Sequence, residues 1–265
     1  MKIAALQMVS TPDVARNLDT ARALIAEAAS AGARLVALPE YFCLLGRADT
    51  DKLAVAEADG EGPIQQALAN AAREHGVWVV GGTLPLRTAD PQRVRNSCLV
   101  FAPDGRRAAR YDKIHLFAFD NGRERHDESR VLERGQTPVA LDCDGWRVGL
   151  SVCYDLRFPE LYRALGQPPC DLICVPSAFT YPTGQAHWEL LLRARAVENL
   201  CYVLAPAQGG RHENGRRTWG HSLVVDPWGE LLGCREEGEG VVVAEMDRAR
   251  IASVRQQLPA LMHRR

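Results

Sequence analysis

Cys153 ends the mostly apolar run 146–152 and is followed at once by the polar, helix-opening segment Tyr154-Asp155-Leu156-Arg157-Phe158-Pro159-Glu160. A cysteine at a strand-to-helix corner holds its sulfur clear of the sheet and near the positive end of a helix. Those conditions lower a thiol's pKa and make it a nucleophile. The same placement also suits a packing residue, because free Cys is among the most buried residue types. A nucleophilic thiol needs a base, and the charge that develops on the attacked oxygen needs a partner. Glu40 stands at the end of the apolar stretch Leu35-Val36-Ala37-Leu38-Pro39, where partial desolvation raises a carboxyl towards a general-base value. Lys113 closes a hairpin strand in Tyr111-Asp112-Lys113-Ile114-His115-Leu116. Its ammonium there can pair with the glutamate, favour the thiolate and hold an oxyanion. Each charge also reads simply as the point where a strand meets water. Histidine is the commoner base for a thiol, and His115, His187 and His221 are alternatives among which no pattern chooses.

The elements that must position these residues follow from periodicity. Strands are expected over 2–8, 34–38 and within the apolar run 77–84, and an amphipathic helix over 13–31 with Leu18, Ala21, Leu24, Ile25 and Ala28 on one face. A second helix fits 64–75, stopped by Gly76. Asp104-Gly105 and Asp144-Gly145 each join two strand patterns, giving hairpins 94–101/106–113 and 139–143/146–152. Residues 114–135 read as polar and irregular. Asp155 is placed to cap a helix over 159–165, and Pro159 fits only its first turn. Strand 171–175, helix 186–200, strands 201–205, 222–226 and 241–245 and a short closing helix complete the chain. Alternating strands and helices with interspersed hairpins predict an α/β fold with mixed sheets, in a single domain over 1–265.

Composition narrows the classes of partner. The chain is 46% apolar and 25% charged with a formal net charge of -1, which argues against nucleic acid. The Arg-rich stretch 211–217 contains Glu213, Asn214 and Gly215 and reads as a solvated loop. The N-terminus is too soon polar for a signal peptide, and no stretch approaches the ~20 apolar residues of a membrane span, so a cytoplasmic protein without membrane contact is expected. The eight cysteines are then free thiols. Cys170 and Cys174 bracket a strand, which places them poorly for one metal. There is no dinucleotide fingerprint, phosphate-binding loop or His-Glu-x-x-His motif.

Taken together, Leu38-Pro39-Glu40, Tyr111 to Leu116 and Cys153 to Glu160 resemble, in this order, the Glu, Lys and Cys motifs of the nitrilase (carbon–nitrogen hydrolase) superfamily. The resemblance extends through Pro176-Ser177-Ala178-Phe179-Thr180, Gly220-His221-Ser222, Asp226-Pro227-Trp228-Gly229 and the ending His263-Arg264-Arg265. It implies a four-layer α-β-β-α sandwich with two mixed sheets, assembled as a homodimer or higher homo-oligomer. It implies Glu40 as general base and acid, Lys113 as oxyanion stabiliser and Cys153 as nucleophile. The Tyr154 N–H becomes an oxyanion donor, and Glu128 the additional glutamate that fixes the lysine or the incoming amide. No metal or cofactor is needed. Arg157 and the Pro176–Phe179 stretch resemble the branch that hydrolyses deaminated glutathione to 2-oxoglutarate and cysteinylglycine. The sibling omega-amidases, acting on α-ketoglutaramate, and other small-amide or carbamoyl hydrolases are the alternatives. In this reading Arg157 grips the substrate carboxylate bidentately, against a surface pair with Glu160. Phe179 and Thr183 line the pocket from a loop as wall and hydroxyl donor, and the segment 117–134 shapes its mouth.

Overall fold

A computed structural model describes residues 1–122 and 125–264; Arg265 of the closing motif lies outside the described residues. The first half runs β1 (Lys2–Gln7), α1 (Val14–Ser30), β2 (Leu35–Ala37), the single turn α2 (Asp51–Ala54) and α3 (Pro63–His75). Four strands follow: β3 (Trp78–Val80), β4 (Leu84–Arg87), β5 (Val94–Phe101) and β6 (Arg107–Asp112). A small hairpin, β7 (Ala118–Asp120) with β8 (Arg125–Asp127), precedes β9 (Val139–Cys143) and β10 (Trp146–Leu150). Then come α4 (Pro159–Leu165), β11 (Leu172–Cys174), α5 (Tyr181–Asn199) and β12 (Tyr202–Ala205). The last part holds β13 (Gly209–Arg211), β14 (Arg217–Trp219), β15 (Ser222–Val225), β16 (Leu231–Arg235), β17 (Gly240–Glu245) and α6 (Arg248–Gln257).

Two mixed sheets carry the architecture. One has the order β17-β1-β2-β3-β5-β4 with β6 on β5; the other runs β16-β15-β12-β11-β10-β9. In each, a parallel trio (β1-β2-β3 and β10-β11-β12) is flanked by antiparallel neighbours. Successive residues of a strand point to opposite faces, and this chain uses both. Ile3, Ala5, Leu35, Ala37 and Val80 join the apolar cluster that contains the second sheet. Ala4, Leu6, Val36 and Val79 instead pack under α1 and α3. Trp188, Leu192 and Ala196 of α5 and Leu161 of α4 cover the second sheet's far side. The layers are therefore α-β-β-α, as the family resemblance implied.

The local reasons are visible. Asp13 caps α1, accepting from Arg16 N at 3.2 Å, and Gly76 ends α3 in the left-handed conformation at φ 60°. Three expectations need correction. Residues 114–135 include the β7–β8 hairpin and a 3-10 turn at Glu128–Arg130, so the segment is built rather than irregular. Helix α5 starts five residues earlier than its periodicity suggests, with Pro182 in its first turn. Thr183 is therefore helical, not in a loop. Residues 209–211 and 217–219 pair as a two-stranded sheet joined by the turn 212–216, so the Arg-rich stretch is a hairpin rather than only a solvated loop.

Candidate active site

Three strand ends converge. Glu40 follows β2 by three residues, Lys113 follows β6 directly, and Cys153 follows β10 by three. The Glu40 turn is fixed by Gln208, whose Nε2 donates to Glu40 O at 3.1 Å. Gly82 is required beside it: at φ +44° a Cβ there would sit 2.1 Å from Pro39 O. Lys113 N donates to Asn96 O at 3.0 Å. Cys153 takes φ 50°, costly for a residue with a side chain and a mark of functional turns. Its N–H goes to Pro176 O at 3.0 Å.

Asp155 does not cap α4, which opens on Pro159 after Phe158. Its buried carboxylate instead accepts from Val152 N (2.8 Å), the Tyr111 hydroxyl (2.7 Å) and His115 N (3.0 Å), and pairs with His115 Nδ1 at 2.7 Å. Tyr111 and His115 flank Lys113 by two residues on either side. Asp155 thus ties the turn that carries the cysteine to the segment that carries the lysine.

Lys113 is buried with two carboxylates. Its Nζ lies 2.9 Å from Glu40 Oε1, and 2.9 and 2.7 Å from the two oxygens of Glu128. Glu128 also accepts from the Tyr41 hydroxyl and from Phe117 N, each at 2.7 Å, so it is held on both oxygens. Glu40 Oε1 takes a second donor, Asn96 Nδ2, at 2.9 Å. Glu40 Oε2 is buried and unpartnered among the described residues. Burial pushes the Glu40 carboxyl above its ordinary value; Lys113 opposes that and Glu128 adds to it. Burial by itself would lower the Lys113 ammonium, but Glu128 and Glu40 outweigh it and hold it well above the ordinary lysine range.

The thiol behaves contrary to the strand-to-helix expectation. Burial, and then the charge of Glu40, push Cys153 well above the usual thiol value, against the pull of Lys113 and of the Ala178 backbone. The element after it is a 3-10 turn, Cys153–Arg157, too short to supply the field of a long helix. The thiol is therefore neutral beside the Glu40 carboxyl.

Above these groups opens a cavity of about 620 Å³, lined among others by Glu40, Glu128, Cys153, Tyr154, Arg157, Phe179 and Thr183. Of the residues that the family resemblance assigns to the site, only Lys113, sealed beneath, does not reach this space. Arg157 makes no ion pair with Glu160 among the described residues. Its guanidinium lies 5.8 and 5.4 Å from the ring centres of Tyr154 and Phe179, and its Nη1 is 3.2 Å from His187 Nδ1. The Thr183 hydroxyl is engaged with Thr180, whose Oγ1 is 2.7 Å away. None of the three candidate histidines lines the cavity: His115 pairs with Asp155, His187 with Arg157, and His221 stacks on Trp219. Sequence reading missed Tyr41, Asp155 and the 209–219 hairpin as parts of the site. Only the motif position of Asp155, two after the cysteine, was a signal that could have found one.

Comparison with known proteins agrees with this arrangement. The carbon-nitrogen hydrolase family model matches residues 2–256. The chain is 42% identical to the deaminated glutathione amidase of Synechocystis sp., over 98% of this chain and 97% of that protein. It is 37% identical to the human omega-amidase, over 100% and 95%. The NitFhit protein of C. elegans superposes with a TM-score of 0.89 at 37% identity, covering 100% of this chain and 65% of that one. Converging motifs, layered sheets and these matches lead to one conclusion: the chain belongs to the carbon–nitrogen hydrolase family and is an enzyme of amide hydrolysis.

Proposed function

We propose that this protein is an amidase that cleaves deaminated glutathione, a 2-oxo acid amide, through a cysteine thioester. The observation that carries the chemistry is the unpartnered Glu40 Oε2 in a buried cluster with Lys113 and Cys153. Glu40 removes the thiol proton as Sγ attacks the amide carbon. The oxyanion is held by the Lys113 ammonium and the Tyr154 N–H, which has no acceptor among the described residues. Collapse breaks the C–N bond, and Glu40 gives its proton to the departing cysteinylglycine amine. The same carboxylate then takes a proton from water, which attacks the thioester; 2-oxoglutarate leaves and the sulfur is reprotonated. These steps balance without metal or cofactor. Glu128 serves by fixing Lys113, with Tyr41 and Phe117 fixing it in turn.

Arg157 is assigned to the carboxylate of the keto-acid end, Phe179 to its apolar wall, and Thr183 to a buttress against Thr180. The two rings beside the guanidinium hold it, and His187 engages only its Nη1, which leaves the other N–H donors for an acid. The name of the Synechocystis relative favours deaminated glutathione; that of the human relative keeps omega-amide hydrolysis as the second reading. A side-by-side assay of deaminated glutathione and α-ketoglutaramate, following released 2-oxoglutarate, separates them. Preference for α-ketoglutaramate would reject the first assignment. We also propose a cytoplasmic homodimer of one domain per chain. No described helix is long and apolar enough to cross a membrane. Leu190, Val197, Trp228 and Leu231 are exposed apolar residues of the kind a second copy covers.

A further inference from the structure

Among the described residues, six cationic side chains line the cavity: Lys52, Arg125, Arg157, Arg211, Arg216 and Arg217. Four are already matched to acids. Asp49 takes Lys52 at 3.5 Å and Arg216 at 3.0 Å, Glu237 takes Arg217 at 3.3 Å, and Asp120 takes Arg125 at 3.9 Å. Arg157 and Arg211 have no carboxylate partner among the described residues. Arg157 is assigned above to the acid of the keto end. Arg211 remains: it is exposed to the cavity at the end of β13, and its side chain makes no hydrogen bond, ion pair or ring contact among the described residues.

Its support is nonetheless rigid. His212, next in the chain, is buried between Ser10 O and Thr218 Oγ1, each 2.8 Å from a ring nitrogen. Asn214 Nδ2 donates to Gly46 O at 2.7 Å, and Gly209 N to Met8 O at 2.9 Å. A guanidinium held at a fixed root, without an acid partner among the described residues, in a cavity where four of the other five described cations are matched to acids, is prepared for an anion from outside.

Its position relative to Arg157 follows from strand pairing. Thr180, one residue after the Phe179 ring that Arg157 faces, bridges to Thr218, and Thr218 pairs with Gly210. Two strand spacings, about 10 Å, therefore separate the backbone beside Arg157 from the backbone that roots Arg211. An extended chain of three residues spans about the same distance. Deaminated glutathione is such a chain, with a carboxylate at each end and the scissile amide between them.

We infer that Arg211 is a specificity-determining residue that binds the terminal carboxylate of the leaving group, making the cavity a site for substrates with an acid at both ends. The inference rests on the amidase reading above and assigns the half of the cavity that reading leaves unused. α-Ketoglutaramate, whose leaving group is ammonia, has nothing for Arg211 to hold.

The test compares kcat/KM for deaminated glutathione with kcat/KM for the same compound bearing a glycinamide terminus, in the unsubstituted enzyme and in Arg211→Ala, Arg211→Lys and Arg157→Ala. The unsubstituted enzyme is expected to prefer the free acid by about ten- to a hundredfold, the range of one charge-assisted bidentate contact. Arg211→Ala abolishes that preference, Arg211→Lys restores part of it, and Arg157→Ala lowers kcat/KM for both compounds while keeping the preference. If the unsubstituted enzyme cleaves both compounds equally, or Arg211→Ala keeps the preference, the role of Arg211 is refuted and the amidase reading stands. If it cleaves neither compound, the amidase reading itself fails and this inference with it.

Discussion

Replacing Glu40 by Gln removes one charge and almost nothing else. The amide oxygen can continue to accept from Asn96 Nδ2 and Lys113 Nζ, both 2.9 Å from Oε1, while the amide nitrogen takes the place of the unpartnered Oε2. Lys113 keeps both contacts to Glu128, so the fold of the site is retained. The base is lost. The Cys153 thiol lies well above the ordinary value of about 9, so fewer than about one thiol in a hundred is ionised at pH 7. Without assisted deprotonation kcat/KM is expected to fall about 10²–10⁴-fold, or roughly 3–5 kcal/mol in barrier. The pH profile carries the sign. The reactive form has Glu40 ionised and its pKa is raised above 4.5, so in the parent enzyme activity is lost as pH falls through a point above 4.5. In Glu40→Gln that acid limb disappears. Removing the Glu40 charge also takes away a repulsion that raises the thiol, so alkylation of Cys153 by iodoacetamide sets in at a lower alkaline pH than direct ionisation in the parent requires. Retention of kcat/KM within about threefold, with the acid limb unchanged, would refute the base assignment.

Two other substitutions probe the supports. Lys113→Met strands Glu40 and Glu128 together without their shared cation, costing about 3–5 kcal/mol of unfolding free energy at pH 7. Because Glu40, already raised by burial and now without the opposing Lys113 charge, then favours its neutral form, denaturant unfolding should show part of the loss recovered as pH is lowered towards 5; equal losses at both pH values would contradict the pairing. Asp155→Asn turns one acceptor oxygen into a donor facing groups that already donate. It is expected to lower stability by about 1–3 kcal/mol and to slow Cys153 alkylation as well. A fall in Tm with unchanged alkylation would reduce Asp155 to a structural residue.

The strand ends were legible because apolar runs stop at Glu40 and Cys153 and because the Asp104-Gly105 turn sets a hairpin strand that closes on Lys113. The layers needed the family resemblance, since nothing local says that Ala5 meets a second sheet while Ala4 meets a helix. What escaped was tertiary. The helix-end rule suggested an acidic thiol, but the neighbouring carboxylate and the burial that overrule it come from β2 and from packing, far away in sequence. Asp155 has the residue type of a cap and the Arg-rich stretch the composition of a loop. Tyr111 and His115 draw the first inward, and buried His212 pins the second as a cavity wall.

The lysine locked between two carboxylates also fixes the charge of the centre. With Glu40 and Glu128 ionised, Lys113 protonated and the thiol neutral, the buried group carries a net charge of one negative unit. When sulfur attacks, Glu40 becomes neutral as the substrate oxygen becomes negative, and the sum does not change. It is the same again at the thioester and during attack by water. The interior never has to take up or release an ion. Dissolved salt should therefore weaken the capture of a dianionic substrate by the open guanidinium at the cavity wall, yet leave the bond-breaking step almost untouched.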